Sequence, residues 1–273
     1  MGISISEQKE NNMSEYKEEL EKMRWSFSRV KSYIQCPYGF YLKYIVNDEE
    51  SDNFYAFMGK TMHECLERIF KKERTIDESI EDFETEYLEH KDDYGIRDRT
   101  KEKAYELCMD YLCQLDLKEL RKYKILGVEL KITLMIEGYD YVGYIDLLLE
   151  DKKTGEIIIL DHKSNQYPFK KNGGVFKNSE KEFEYYKKQM YLYCNGVYEK
   201  YGKYPRKIVW NHFKEGKYAV IDFNKQEFDE TMKWFVDTIH QIENDKHFVA
   251  NTEFFYCVYL CGFRYDCEYK EDL

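Results

Sequence analysis

The sequence predicts an α/β fold, in which a central sheet is flanked by helices, and three observations support this prediction. The 273 residues are 43% hydrophobic and 35% charged, which provides enough apolar surface for a substantial core. Hydrophobic residues recur at helical spacing before residue 122 and then alternate with polar residues from 125 to 163, as they do in strands. A helical pattern returns at 182 to 200, and two further strand-like segments follow it.

The composition excludes several classes of protein. No run approaches the roughly 18 to 20 apolar residues of a membrane span, and the N-terminus lacks the basic and then apolar order of a secretory signal. We therefore expect a soluble protein of the cytoplasm. Lys and Arg total 42 and Asp and Glu total 53, which gives a formal net charge of −11. Binding of nucleic acid through bulk charge is thereby excluded, and any such contact has to be local.

The N-terminal part of the chain is predicted to be helical. Residues 1 to 23 are polar and rich in Glu and Lys, so we expect a solvated leader before a single domain over 24 to 273. A broad apolar face over 54 to 72 predicts a well-packed helix. Residues 76 to 122 continue as charged helices and contain no proline.

The remaining elements follow from turn signals and a change of period. Residues 125 to 163 indicate three strands of an antiparallel meander, because Glu137-Gly138 and Lys153-Thr154-Gly155 are typical of turns. Residues 164 to 180, rich in Asn, Gly, Lys and Ser, are expected to form a mobile loop. After it we predict a helix over 182 to 200, the strands KIVWNHF and KYAVIDF joined by Lys214-Glu215-Gly216, a helix over about 225 to 245, and a cysteine-bearing tail.

Two acids and a lysine lie on neighbouring predicted strands. Asp146 is in GYIDLLLE, and Asp161 and Lys163 are in IIILDHKS. Side chains alternate across a strand, so Asp161 and Lys163 share one face, and a hairpin brings Asp146 beside them. Two buried carboxylates repel each other unless a cation separates them, and oxygen ligands favour Mg²⁺ or Mn²⁺. Such a cation with a nearby lysine is suited to phosphodiester hydrolysis.

Four further residues each allow two interpretations. Glu129, on the preceding strand, either completes a catalytic metal or water position or is a solvated strand residue. His63 lies away from the apolar stripe of its helix, and on position alone a structural histidine is the commoner interpretation. Gln189 and Tyr193 are four residues apart on one helix face, where they are suited to hold either a nucleotide or the catalytic lysine.

Five motifs occur in order along the chain: MGKTMHECLE, GVELK, GYIDLL, ILDHKS and QMYLY. In this order and spacing they resemble the RecB-like branch of the PD-(D/E)XK nuclease superfamily. The resemblance that they carry spans roughly residues 25 to 270, nearly the whole chain. The resemblance implies a restriction-endonuclease-like core with a mixed sheet. The roles that it implies are metal ligation by His63, Asp146, Asp161 and the main-chain carbonyl of His162, catalysis by Lys163, and nucleotide contact by Gln189 and Tyr193.

Four of the eight cysteines lie near the ends of the predicted domain. Cys36 lies within residues 24 to 50, and Cys257, Cys261 and Cys267 form a C-x₃-C-x₅-C pattern within 250 to 273. The set resembles the four ligands of the [4Fe–4S] cluster in AddB-like and CRISPR-associated RecB-like exonucleases, whose tail usually reads C-x₂-C-x₅-C. Such a cluster would join the two ends of the domain. A Cys₄ zinc site and four free thiols are the alternatives.

The other four cysteines are Cys65, Cys108, Cys113 and Cys194. They lie within helical apolar patterns, where a thiol behaves as a small hydrophobic side chain. We predict that they are packing residues.

The segment that follows Lys163 is basic and contains aromatic residues. Lys170 and Lys171 are suited to bind a phosphate backbone, and Tyr167 and Phe169, taken as exposed, are suited to stack on unpaired bases. A solvated loop without a ligand is the alternative.

The resemblance implies a Mg²⁺- or Mn²⁺-dependent deoxyribonuclease, an exonuclease that acts on DNA ends or single strands, of prokaryotic or phage origin. It also implies a protein partner in recombination, repair or CRISPR adaptation, without membrane contact. Two alternatives come from other classes of protein: a catalytically weak DNA-binding or recombination-partner subunit, and a zinc-bound interaction module. The presence of every expected catalytic residue type argues against the first.

Overall fold

The computed structural model describes residues 16–51, 53–265 and 267–269. Most of the predicted leader, residues 1 to 15, lies outside this part, and residues 16 to 21 are helical. The chain divides into two compact units. The first comprises Met1–Ser51, Thr133–Gly143 and Glu227–Leu273, and the second comprises Asp52–Ile132 and Tyr144–Gln226. A single domain over 24 to 273 stays a prediction.

The elements match the predicted order of helices and strands. After Trp25 the α-helices are α1 (Phe27–Gln35), α2 (Pro37–Tyr41), α3 (Phe54–Lys71), α4 (Ile76–His90), α5 (Asp98–Gln114), α6 (Glu180–Tyr201), α7 (Lys225–Asn244) and α8 (Phe254–Tyr259). The strands are β1 (Tyr123–Ile136), β2 (Tyr139–Asp151), β3 (Ile157–Lys163), β4 (Lys207–His212) and β5 (Lys217–Asp222). A π-helical turn, Leu42–Val46, follows α2.

The five strands form one mixed sheet in the order β1-β2-β3-β4-β5. β2 pairs antiparallel with β3, and β4 pairs antiparallel with β5. β3 and β4 are parallel, because the 22-residue helix α6 between them returns the chain to the starting end of the sheet. The predicted mixed sheet flanked by helices is therefore confirmed.

Helix α3 packs on one face of this sheet within the second unit. Asn53 caps its first turn by accepting a hydrogen bond from the N–H of Ala56 at 3.0 Å. Its predicted apolar face is confirmed, and the buried residues include Met58, Met62, Cys65, Leu66, Ile69 and Phe70. They share a hydrophobic cluster with residues of α4 and α5 and with Leu147, Leu149, Leu160 and Val209 of the sheet. The helix that carries His63 is thus fixed against the strands that carry the two aspartates.

The packing role predicted for Cys113 is wrong, because this residue is exposed. On α5 the buried residues Ala104, Cys108 and Leu112 follow one another at intervals of four, and Cys113 lies one position beyond Leu112. One residue turns about 100° around a helix, which takes Cys113 away from the core. The other three, Cys65, Cys108 and Cys194, are buried as predicted.

The core of the first unit forms around Trp25, whose side chain is buried. The Trp25 N–H donates to the carbonyl of Asp140 at 2.7 Å, and the Trp25 carbonyl accepts from the N–H of Val142 at 2.8 Å. Its ring lies parallel to that of Phe40, with centroids 6.5 Å apart. These contacts fasten the start of α1 to the turn between β1 and β2.

None of the helices among the described residues has both the length and the apolar composition that a membrane crossing requires.

Helix α6 covers the other face of the sheet and approaches β1 closely at Gly196. A Cβ atom at this position would lie 2.8 to 3.0 Å from side-chain atoms of Ile132. Contacts this short do not occur between well-packed carbon atoms, so the close approach depends on glycine.

We expect Gly196→Ala to lower the free energy of unfolding by about 1 to 3 kcal/mol, because the added methyl group overpacks this contact. Urea unfolding followed by circular dichroism measures the change. Gly95→Ala is the matched control, since a Cβ at Gly95 meets nothing within 4 Å. Equal stability of the two variants would contradict the close approach of α6 to β1.

Candidate active site

The register of β2 and β3 brings the two predicted aspartates together. Leu147 pairs with Leu160, so the next pair in this antiparallel register places Asp146 opposite Asp161. The leucines point to the face covered by α3, and alternation turns both aspartates and Lys163 to the face covered by α6. The predicted convergence of two carboxylates and a lysine is therefore present in the structure.

The ammonium group of Lys163 is held from three directions. Its Nζ lies 2.7 Å from Oδ2 of Asp161 and donates to Oε1 of Gln189 at 3.0 Å. It also lies 4.5 Å from the centroid of the Tyr186 ring, within the range of a cation–π interaction. These three contacts hold the ammonium group in one position, beside the carboxylate of Asp161.

Gln189 and Tyr193 act on the lysine in this structure. Gln189 accepts from Lys163 through Oε1 and donates through Nε2 to the Tyr193 hydroxyl at 3.0 Å. Tyr193 is buried, and burial together with the charge of Asp161 raises its pKa above the usual range, so the hydroxyl stays neutral. Of the two roles considered for this pair, the contact with Lys163 is present, and the contact with a nucleotide stays a prediction.

His63 connects α3 to the strands that carry the aspartates. Its Nε2 lies 3.0 Å from the carbonyl oxygen of His162, and its Nδ1 lies 3.4 Å from Oδ2 of Asp146. The N–H of His162 donates to the same oxygen of Asp146 at 2.7 Å. With Nε2 donating to the carbonyl, the lone pair of Nδ1 faces the carboxylate of Asp146. The carbonyl of His162, predicted as a ligand, therefore lies beside His63.

Glu129 reaches the same place through an unusual backbone conformation. It is the one residue of β1 with a positive φ, 46°, a left-handed conformation that is rare for a side chain other than glycine and concentrates at functional sites. One ligand atom from each of His63, Glu129 and Asp146 lies within 4.8 Å of the others. Of the two interpretations of Glu129, the structure supports membership of the acidic cluster.

The donor set fits a hard divalent cation. One imidazole nitrogen and carboxylate oxygens converge, and Mg²⁺ and Mn²⁺ bind such donors. The carboxylate of Asp161 pairs with Lys163 and does not belong to this group of three. The structure thus brings together three of the residues considered as ligands, and ligation by Asp161 stays a prediction.

The buried environment of this cluster disfavours the charged forms of its two acids and of its histidine. Burial and the neighbouring charge of Asp161 raise the pKa of Asp146 well above its usual range. Burial and the carboxylates of Glu67 and Asp161 raise the pKa of Glu129, and burial lowers the pKa of His63. Each shift disfavours the charged form of the group, and a cation bound between the carboxylates opposes the shifts of both acids.

The predicted phosphate-binding lysines lie in the segment that follows Lys163, and their contact with DNA stays a prediction. Lys170 and Lys171 are exposed in the segment after Lys163, where Phe169 and Val175 form an isolated β-bridge. Tyr167 and Phe169 are both half-buried, so the exposure expected for the two rings is wrong. Phe169 packs against Phe183 at a centroid distance of 5.1 Å. The reason is packing of the segment onto the start of α6.

Sequence reasoning missed two residues next to the lysine. Tyr186 lies three residues before Gln189 on α6, and this helical spacing was a usable signal. His212 pairs with Lys163 across the parallel strands, which only the register shows. No spacing along the chain connects positions 163 and 212.

A second candidate site lies in the first unit. Cys36, Cys257, Cys261 and Cys267 line a cavity of about 30 Å³. Burial, and secondarily the neighbouring cysteines in their thiolate form, raise the pKa of Cys257. The N–H groups of Gly39 and Asn251 each donate to the Cys36 sulfur at 3.4 Å.

The spacing of the sulfur atoms bears on which group would fit. No three of these four described cysteines have their sulfurs within 4.8 Å of one another. A tetrahedral zinc site, with Zn–S bonds of about 2.3 Å, places its sulfurs about 3.8 Å apart. Four thiolates are the donor set of both a [4Fe–4S] cluster and a Cys₄ zinc site, and which of them these cysteines hold stays a prediction.

The tail that carries these cysteines is anchored at Gly262. The N–H of Ser51 donates to the Gly262 carbonyl at 3.0 Å. A Cβ at Gly262 would lie 2.8 Å from Cγ of Glu50. Glycine therefore allows the chain directly after Cys261 to lie against Glu50 and Ser51, which follow the π-helical turn.

Comparisons with known proteins agree with the fold and with the motifs. No curated protein sequence matches the chain. A solved structure, that of a protein from Eubacterium rectale described as an inferred exonuclease, superposes with a TM-score of 0.52 at 12% identity, covering 93% of this chain and 91% of that one. The model of the PD-(D/E)XK nuclease superfamily matches residues 24–271. On this match over nearly its whole length, the chain belongs to the PD-(D/E)XK nuclease superfamily.

Proposed function

We propose that the protein is a Mg²⁺- or Mn²⁺-dependent deoxyribonuclease that acts as an exonuclease on DNA ends or single strands. The observation that carries this proposal is the group formed by His63, Glu129 and Asp146 beside the Asp161–Lys163 pair. It joins a cation-binding donor set to a positioned ammonium group on one face of the sheet. The family and the fold of the inferred exonuclease support the assignment.

In the proposed mechanism, His63, Glu129, Asp146 and the carbonyl of His162 hold the cation, with Asp161 as a further oxygen donor. When bound there, such a cation would supply a Lewis acid for the phosphodiester and would lower the pKa of an attacking water. Lys163 Nζ donates a hydrogen bond to that water or to a phosphoryl oxygen. Asp161, Gln189 and Tyr186 keep the ammonium group in this direction.

The proposal includes a structural [4Fe–4S] cluster at Cys36, Cys257, Cys261 and Cys267. All four line one cavity, backbone N–H groups point at the Cys36 sulfur, and the sulfurs are not within the spacing of a single zinc ion. The cluster would tie residue 36 to the tail in the first unit. Zinc at the same cysteines is the alternative that the iron measurement below separates.

The sequence motifs support a finer placement of the protein. We propose that it belongs to the RecB-like branch, that it is similar to the CRISPR-associated and phage exonucleases, and that it is located in the cytoplasm. Lys170, Lys171, Gln189 and Tyr193 are the proposed DNA contacts. A protein partner in recombination, repair or CRISPR adaptation is part of the same proposal.

Lys163→Ala should reduce DNA cleavage about a hundredfold or more, because it removes the positioned ammonium group. The assay is cleavage of end-labelled single- and double-stranded DNA with Mg²⁺ or Mn²⁺ by anaerobically purified protein. Lys153→Ala, in the exposed turn before β3, is the matched control and should retain activity. Full activity of Lys163→Ala would overturn the mechanism, and inactivity of the iron-loaded wild type would favour a DNA-binding subunit.

Asp146→Asn should raise the melting temperature of the metal-free protein at neutral pH. The folded-state pKa of Asp146 lies above its unfolded value, so stability is greatest when the group is protonated and falls as the pH rises toward that pKa. Asparagine removes the buried charge. The same variant should lose the stabilisation that Mn²⁺ gives to the wild type, as measured by calorimetry.

Asp237 is exposed and provides the control. Asp237→Asn should change neither the melting temperature of the metal-free protein nor its increase when Mn²⁺ is added. A lower melting temperature for metal-free Asp146→Asn than for the metal-free wild type would contradict the conclusion that the buried charge of Asp146 destabilises the fold. Stabilisation of this variant by Mn²⁺ would show that Asp146 does not hold the cation.

Anaerobically purified wild-type protein should contain about four iron and four sulfide per chain and absorb broadly in the visible range. Cys261→Ser should lose most of this iron, because it removes one of four thiolate ligands. Cys113→Ser, at the exposed cysteine of α5, should keep it. One zinc per chain with no iron would support the zinc site instead, and neither metal would indicate free thiols.

A further inference from the structure

His212 lies next to the catalytic lysine on the neighbouring strand. Lys163 and His212 are paired in the parallel register of β3 and β4, and each is the last residue of its strand. Paired residues of a sheet point to the same face, so His212 shares the face that carries Asp161 and Lys163. The His212 side chain is completely buried.

The imidazole of His212 holds the segment that begins directly after Lys163. Its Nδ1 donates to the carbonyl oxygen of Asn165 at 2.9 Å, and its Nε2 has no hydrogen-bond partner among the described residues. Burial lowers the pKa of His212, which keeps the ring neutral. His212 therefore fixes the position of residues 164 to 167 relative to the end of β4.

Tyr167 is clamped at the end of this short segment. Its N–H donates to Oε1 of Glu215 at 2.8 Å, and its ring meets the ring of His212 edge-on at 5.7 Å. Lys217 Nζ lies 5.3 Å from the centroid of the Tyr167 ring and 2.7 Å from Oε2 of Glu215. Tyr167 is half-buried, and Lys217, although paired with Glu215, is exposed to solvent, where an added anion can reach it.

The charge of this region is opposite to that of the whole chain. Residues 164 to 179 contain three lysines, Lys170, Lys171 and Lys177, and no acidic residue, although the formal net charge is −11. The turn between β4 and β5 adds Lys214, and the first residue of β5 adds Lys217. Lys214 lies 6.0 Å from the ring of the exposed Tyr55. The single acid of that turn, Glu215, is paired with Lys217 and with the Tyr167 N–H.

We infer that Tyr167 and Lys217, positioned by His212, form a subsite for an unpaired nucleotide of the substrate strand next to Lys163. This inference rests on the proposed function and names its substrate class, a strand with unstacked bases. The ring of Tyr167 offers a stacking surface to one base, and Lys217 pairs with a phosphate of the same strand. Bases inside a duplex are stacked on their neighbours and present no free face to a side chain.

The subsite also gives a role to the hydrogen bond between His212 and Asn165, which the proposed catalytic mechanism does not use. His212 is a positioning residue, because its bond to Asn165 sets the distance between Lys163 and Tyr167. The chain between the lysine and the tyrosine is only three residues long, so the base on Tyr167 belongs to a nucleotide near the scissile phosphate.

Fluorescence anisotropy with a labelled single-stranded oligothymidylate and a labelled blunt duplex tests the inference. The full-length protein carries Lys163→Ala to prevent cleavage. Adding Tyr167→Ala should weaken binding of the single strand about tenfold, and Tyr167→Phe should keep it within about twofold, because the aromatic face remains. Duplex binding should be unchanged. Tyr198→Ala, at an exposed tyrosine of α6, is the control.

Three further variants keep the test valid if Tyr167→Ala lowers stability. Lys217→Met should weaken binding of the single strand and reduce its dependence on salt concentration by about one phosphate contact. His212→Phe should weaken binding of the single strand in the same way as Tyr167→Ala, while His212→Gln, which retains a donor, should restore part of it.

The outcomes separate this inference from the proposed function. If the wild type cleaves DNA but single-strand affinity is the same in the tyrosine, lysine and histidine variants, the subsite is wrong and the nuclease assignment stands. If neither DNA form binds and none is cleaved, the nuclease assignment fails as well. Equal losses for single strand and duplex would show a general phosphate contact and would also overturn the subsite.

Discussion

The arrangement of the second unit depends on one electrostatic problem, the burial of the Asp146 and Asp161 carboxylates on adjacent strands. Burial disfavours the charged form, and the like charge of Asp161 adds to the penalty, so the pKa of Asp146 is raised well above its usual range. Lys163 compensates one carboxylate, and the N–H of His162 donates to the other. The remaining imbalance is what a divalent cation would relieve. A site that is unfavourable alone and favourable with its ligand is a common property of metal centres.

Strand β3 is largely buried and carries polar residues on both of its faces. Its odd-numbered residues Asp161 and Lys163 face α6, while the side chain of His162 faces the core under α3. There His162 accepts a hydrogen bond from Asn211 at 2.9 Å and stacks on Phe70 at 5.7 Å. The main chain of the same residue contacts Asp146 and His63. The hydrophobic core thereby sets the position of the backbone groups that enter the site, and α6 sets the position of the lysine through Gln189.

The two units carry different chemistry. The oxygen, nitrogen and ammonium groups suited to phosphodiester hydrolysis belong to the second unit, and the four cysteines that line one cavity belong to the first. Thiolates suit iron clusters or zinc, and carboxylates suit Mg²⁺ or Mn²⁺, so the two donor sets select different metals. At 12% identity to the Eubacterium rectale structure, the similarity concerns the fold, and the chemistry is argued from the residues of this chain.

The sequence by itself determined the α/β class, the order of the helices and strands, and the side-by-side placement of Asp146, Asp161 and Lys163. These features are local, because period, turn residues and strand alternation are set by neighbouring positions. The family resemblance named His63, and the tertiary structure placed it beside Asp146 and the carbonyl of His162. Only the tertiary structure showed that Glu129 joins His63 and Asp146 with a left-handed backbone, and that His212 lies beside Lys163. It also showed that Cys113 is exposed and Phe169 half-buried. These features depend on which elements meet across the sheet, and long-range packing is not encoded in the spacing of residues along the chain.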